Sequence, residues 1–164
     1  SADVVYQYCR AIDRMDLELL ESVFHEDSMH HHGEYEGPSS DFCTFAFDIR
    51  AEMELTQHLV GKLLIEVDVD TAWSEAYWTA FHRIAKGKES DMGFLAEHDS
   101  SIDEDVFVSG RYIDRFEKRN GEWKIAKRQG VHDWVRFEPA NEKGQLEAAG
   151  PTASRSRQDP AYQR

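Results

Sequence analysis

Apolar positions along the first quarter of the chain recur every three to four residues. Val4, Tyr8, Ala11 and Met15, flanked by Val5 and Ile12, form one stripe, which predicts a helix over 4–15. Asp16 is placed to cap a second, shorter helix over 17–24 with the face Leu17, Leu20, Val23 and Phe24; His25-Glu26-Asp27 should end it. A short strand is expected over 28–35. Gly37-Pro38-Ser39-Ser40 reads as a turn leading into a third helix over 41–54, with Phe42, Phe45, Ala46, Ile49 and Met53 at helical spacing. The period then changes. Residues 56–68, 70–85, 106–118 and 122–137 read as strands, the last two joined across Asn120-Gly121, a strong hairpin signal. Residues 87–105 are acidic and read as an exposed loop with room for one helical turn. Three helices followed by long antiparallel strands predict an α+β domain with helices packed on one face of a curved sheet.

Composition narrows the function classes. The 164 residues suit one domain with a real core, and the formal net charge is −13. A surface of that sign repels nucleic-acid phosphates and anionic membranes, so neither is expected as a partner. No apolar run approaches 18 residues and no signal peptide is visible, so a cytoplasmic protein is expected. Cys9 and Cys43 belong to no CxxC pattern and read as reduced core residues. From residue 139 onward the chain is polar and aperiodic. This tail is expected to be disordered or draped over a partner, as an oligomer contact or a lid on a pocket mouth.

The chemistry is carried by a few side chains. His58 and His82 lie on neighbouring predicted strands. His82 shares its face with Ala76, Trp78 and Ala80, an apolar wall with small residues beside a large ring; His58 shares its face with Val60, Lys62 and Leu64. A histidine on such a wall is suited to general acid–base work, and equally to a hydrogen-bonded place in the core. Asp13 has the chemistry to orient an imidazole, although the helical wheel turns it about 140° from the apolar centre, toward solvent. Tyr8, Tyr35, Tyr77 and Tyr112 are candidate phenolic donors. Tyr112 alternates with Val108, Gly110 and Phe116 and should point inward, with Gly110 leaving room beside it. His30 and His32 would share a strand face, but two ligands fall short of a zinc site, and no metal is expected. His132-Asp133 is a further polar pair of unassigned use. No GxGxxG, P-loop, GxSxG or HExxH motif occurs.

These segments resemble a known family. The stretch from Tyr8 to Asp16, then Leu19-Leu20 and Phe24-His25-Glu26-Asp27, resembles the opening of SnoaL-like domains of the nuclear transport factor 2-like superfamily. Thr56-Gln57-His58-Leu59-Val60-Gly61 is similar to the segment that holds the first catalytic histidine of scytalone dehydratase. Gly110 to Phe116 and Asn120 to Ile125 resemble the closing hairpin. The resemblance covers residues 4–137. It implies a cone-shaped α+β barrel, also described as cystatin-like, over residues 1–138, with 139–164 as tail. By position it implies Asp13, His58 and His82 as the catalytic set of a cofactor-independent lyase. Tyr8, Trp78, Tyr112, His32 and Tyr35 are expected to contact a bulky aromatic or polycyclic substrate. Tyr8 with Asp13 matches a Tyr/Asp pair of bile-acid 7α-dehydratase, and hexachlorocyclohexane dehydrochlorinase is a further relative. Tyr112 stands where scytalone dehydratase carries an asparagine, a departure that argues against scytalone itself. Two alternatives follow from the same resemblance: a deformylating lyase of a lignin-derived aromatic dimer, and a non-catalytic binding protein such as the small subunit of a ring-hydroxylating dioxygenase. A homodimer or homotrimer is expected.

Overall fold

The N-terminal stripe becomes α1, Ala2–Arg14, which buries Val5, Tyr8, Ala11 and Ile12. The structure is a computed structural model that describes residues 2–91, 93–141 and 150–164. Met15 takes a positive φ of 54° and turns the chain. Asp16 then caps α2, Leu17–Ser22, accepting the Leu19 backbone N–H at 3.1 Å. Of the apolar face expected for this helix, Leu20 is buried and Leu17 is exposed. Val23 and Phe24 leave the helix, because the Val23 carbonyl accepts the Ile125 N–H and starts a strand there. That strand, β1, runs Phe24–His32 and absorbs His25-Glu26-Asp27, which the sequence placed at the helix end. Gly33 (φ 62°) leads into β2, Tyr35–Pro38, so Gly37 and Pro38 belong to a strand rather than a turn. α3 spans Ser39–Ala51 and buries Phe42, Cys43, Ala46 and Ile49.

The remaining chain forms β3 (Met53–Asp68), β4 (Thr71–Ile84), β5 (Glu104–Arg119) and β6 (Glu122–Pro139). The six strands lie in the order β2-β1-β6-β5-β4-β3. Every pairing is antiparallel except β1 with β6, which is parallel. The sheet curves around the helices without closing. Asn120 and Gly121 both have positive φ, 53° and 84°, as the two-residue β5–β6 hairpin requires. In the acidic connection a 3₁₀ turn, Gly93–Glu97, is the one helical turn among the described residues.

A register shift in the β3–β4 ladder between Val60 and Leu63 corrects the face expected for His58. Leu63 and Ile65 pack on the core and Leu64 is exposed, because the irregularity exchanges the two faces. On β5 the alternation of Val108, Gly110, Tyr112 and Phe116 holds, and it carries Asp114 inward as well. There Asp114 meets Arg128 through two 2.7 Å hydrogen bonds, with both side chains fully buried. The guanidinium lies between the rings of Tyr8 and Tyr112, 4.1 Å from each centroid. Cys9 and Cys43 are buried free thiols.

Residues 150–164 pack on the helices of their own chain. Arg14 binds Asp159, Tyr162 donates to Asp16, and Arg155 donates to the carbonyls of Arg50, in the last turn of α3, and Met53, the first residue of β3. The rest of the expected tail, 142–149, lies outside the described residues. Among the described residues no helix is long and apolar enough to cross a membrane.

Candidate active site

The last turn of α1 lies against the start of β3, and this contact makes the central pair. Asp13 is buried, contrary to its helical-wheel position, because β3 passes over that side of the helix. Its carboxylate accepts two hydrogen bonds from one residue: the His58 backbone N–H at 2.9 Å and the His58 ring Nδ1–H at 2.7 Å. With the neutral-ring proton held on Nδ1, Nε2 is left as the acceptor on the other side of the ring. The same grip fixes the ring's angle and stands ready to stabilise an imidazolium. The His58 side chain is 3% exposed.

His82 stands beside it, the two ring centroids 5.4 Å apart. Thr56 and His82 are cross-strand partners, and the Thr56 hydroxyl lies 3.1 Å from His82 Nδ1. Burial, helped by the positive charge of Arg50, pushes the His82 pKa well below the usual value. His82 is therefore neutral at physiological pH and offers hydrogen bonds rather than charge.

These rings open on a cavity of about 350 Å³, a size that suits a small organic ligand. Phe42, Phe45 and Ile49 of α3 form one wall. Trp78 and Tyr112, stacked at 5.3 Å and 20°, form the opposing one. Gly110 makes the stack possible: a Cβ there would stand 2.8 Å from the Trp78 ring and strike the Val131 backbone. His32 and His132 meet through their Nε2 atoms at 3.2 Å, so one ring donates and the other accepts. Burial and the Arg50 charge lower both pKa values. Gly130 lets the His32 ring lie flat, since a Cβ would come within 2.5 Å of Nδ1. The rim is acidic and exposed: Glu34 accepts the Gly93 N–H, and Asp133 pairs with Arg111.

The family model of the SnoaL-like domain matches residues 2–129. The chain belongs to the SnoaL-like family. Among solved structures, this SnoaL-like protein is similar to a candidate scytalone dehydratase from Novosphingobium aromaticivorans. The two share 20% identity over 88% of this chain and 91% of that one, with a TM-score of 0.66. A hexachlorocyclohexane dehydrochlorinase from Novosphingobium barchaimii is 16% identical over 88% of each chain, with a TM-score of 0.67. A cystatin-like protein from Nostoc punctiforme aligns at 17% identity over 80% of this chain and 87% of that one, with a TM-score of 0.59. At such identities the likeness is one of fold, the cone-shaped α+β fold of the nuclear transport factor 2-like superfamily. Comparison with curated proteins finds no match.

Of the residues singled out from sequence, Asp13, His58 and His82 come together, and Trp78, Tyr112 and His32 line the SnoaL-like cavity. Two do not line it. Tyr8 lies in the core against Tyr112 and the Arg128 guanidinium, and burial raises its pKa to about 12. Tyr35 stacks on Phe45 behind the wall and donates to the Pro38 carbonyl. His30 is buried and stacked on Phe42 at 3.5 Å, a packing ring. Among the described residues no group of three or more His, Cys, Asp or Glu is arranged to hold a metal. Sequence reasoning missed Arg50 and Thr56 and gave His132 no role. Arg50 follows Ala46 by one helical turn, and that spacing was the signal available.

Proposed function

We propose that this protein is a cofactor-independent lyase that eliminates water from a bulky aromatic or polycyclic compound by acid–base catalysis. The observation that carries this reading is the two-point grip of Asp13 on His58 at the wall of a cavity enclosed by aromatic rings. His58 Nε2 takes a proton from a carbon of the substrate. The C–H electron pair becomes the new C=C bond, and the C–O bond breaks with its electrons on oxygen. The proton on His58 then passes to the departing hydroxyl, which leaves as water and returns the ring to its neutral form. Asp13 stabilises the intervening imidazolium. His82, kept neutral by burial, hydrogen-bonds an oxygen of the substrate.

The test is turnover of a panel of hydroxyaryl ketones, followed by mass spectrometry for loss of water. His58→Gln is expected to lower turnover about 10²–10⁴-fold, and Asp13→Asn to cause a comparable loss by releasing the ring tautomer. Thermal unfolding should show both variants folded. A folded His58→Gln that still turns over at the wild-type rate overturns the assignment, and loss of formaldehyde instead of water would redirect it to carbon–carbon cleavage.

A further inference from the structure

Among the described residues, the buried and half-buried arginines that surround the core have acceptors for their guanidinium groups, and Arg50 departs from this. Arg83 and Arg128 each grip an aspartate through two hydrogen bonds. Arg155 is taken up by two backbone carbonyls. Arg50, in the last turn of α3, lines the cavity and has neither. Its Nε is buried without a hydrogen-bond partner, and among the described residues no carboxylate lies within ion-pair distance of its guanidinium. The indole Nε1 of Trp78, on the facing wall, is likewise buried without an acceptor among the described residues. The wall is rich in donors and short of acceptors.

Arg50 is half-buried, and a buried guanidinium nitrogen without an acceptor or counter-charge is an unfavourable arrangement that is relieved when an anion binds. The cavity's other polar groups do not relieve it. His32, His82 and His132 are held neutral by burial and by the Arg50 charge itself. The acids that line the cavity, Glu34, Glu97 and Asp133, are exposed at the rim; Glu34 and Asp133 are engaged elsewhere, and no ion pair joins any of the three to Arg50 among the described residues. Arg50 is the one permanently charged cation among the described lining residues, and its planar fork matches a carboxylate in a two-bond arrangement that an ammonium cannot offer.

We propose that Arg50 is the anion-recognition point of this cavity, and that the compound it takes carries a carboxylate on the aromatic body enclosed by Phe42, Phe45 and Trp78. The proposal rests on the reading of this cavity as the substrate site, so its test measures binding alone, and turnover can fail without deciding it.

The test compares trans-cinnamate with its uncharged analogue cinnamamide by isothermal titration calorimetry on the full chain at neutral pH. The wild type is expected to bind the carboxylate about 10- to 100-fold more tightly than the amide. In Arg50→Gln that preference should vanish, with amide affinity within about threefold of wild type. Arg50→Met, which keeps the apolar stem, makes the same comparison should the glutamine variant fail to fold. Equal affinity for the two compounds in the wild type overturns the proposal. So does a carboxylate preference that survives in a folded neutral variant, or no binding of cinnamate at concentrations on the order of tens of millimolar.

Discussion

A histidine buried in its neutral form costs the protein stability in acid, and this molecule has several. Burial is the leading cause that holds His30, His32 and His82 well below the ordinary histidine value of 6.5. The unfolded chain takes up protons on them near pH 6.5, and the folded chain only at lower pH. Their contribution is therefore fully present above that value and is lost as the pH falls toward the folded pKa values. Each histidine contributes a slope of about 1.4 kcal/mol per pH unit in that window. Urea unfolding at about pH 5 and pH 7.5 should show the protein markedly less stable at the lower pH, and stability that is flat across the window would contradict the neutral assignment. At this scale the sequence was informative where a residue type had one natural use. His58 and His82 stood out on strands with apolar neighbours. Asp13 and Arg50 were harder to place, because a charged side chain near a helix end reads as solvated until a strand or a cavity is known to cover it.

Elements were legible wherever period and turn chemistry agreed. α1, α3, β4, β5 and the Asn120-Gly121 hairpin all sit within a few residues of their expected positions. The start of β1 and the middle of β3 were not legible. In both, a ladder irregularity breaks the two-residue alternation on which a strand is recognised, between Phe24 and Met29 and between Val60 and Leu63. The site depends on close strand contacts that only small residues permit. Gly110→Ala places a methyl group against the Val131 backbone and the Trp78 ring. It should destabilise the protein by about 1–3 kcal/mol in urea unfolding and tilt the Trp78–Tyr112 stack, which near-ultraviolet circular dichroism would register. A silent Gly110→Ala would mean that β5 and β6 can part at that point without cost.

At the scale of the molecule, the C-terminal segment ties the helices to one another. Arg155 closes the carbonyl end of α3, while Arg157 and Tyr162 hold Asp16 at the turn between α1 and α2. Arg155→Ala should lower Tm by about 2–8 °C and weaken cinnamate binding, because the last turn of α3 carries Arg50. An unchanged Tm would show that water replaces the guanidinium at no cost. Composition and aperiodicity could not announce this docking, since it consists of single arginine and tyrosine contacts with distant helices rather than a patterned face. The one parallel ladder has a consequence in time. β1 is made before its partner on β6, and residues 24–31 pair there with residues 125–129. Until that far segment leaves the ribosome, β1 has an open edge, and Tyr8 and Asp114 await Arg128, the group that seals the core between them. Completion of this fold is thus a long-range closure across about a hundred residues, a step that slow loop closure governs and that local helix formation cannot hasten.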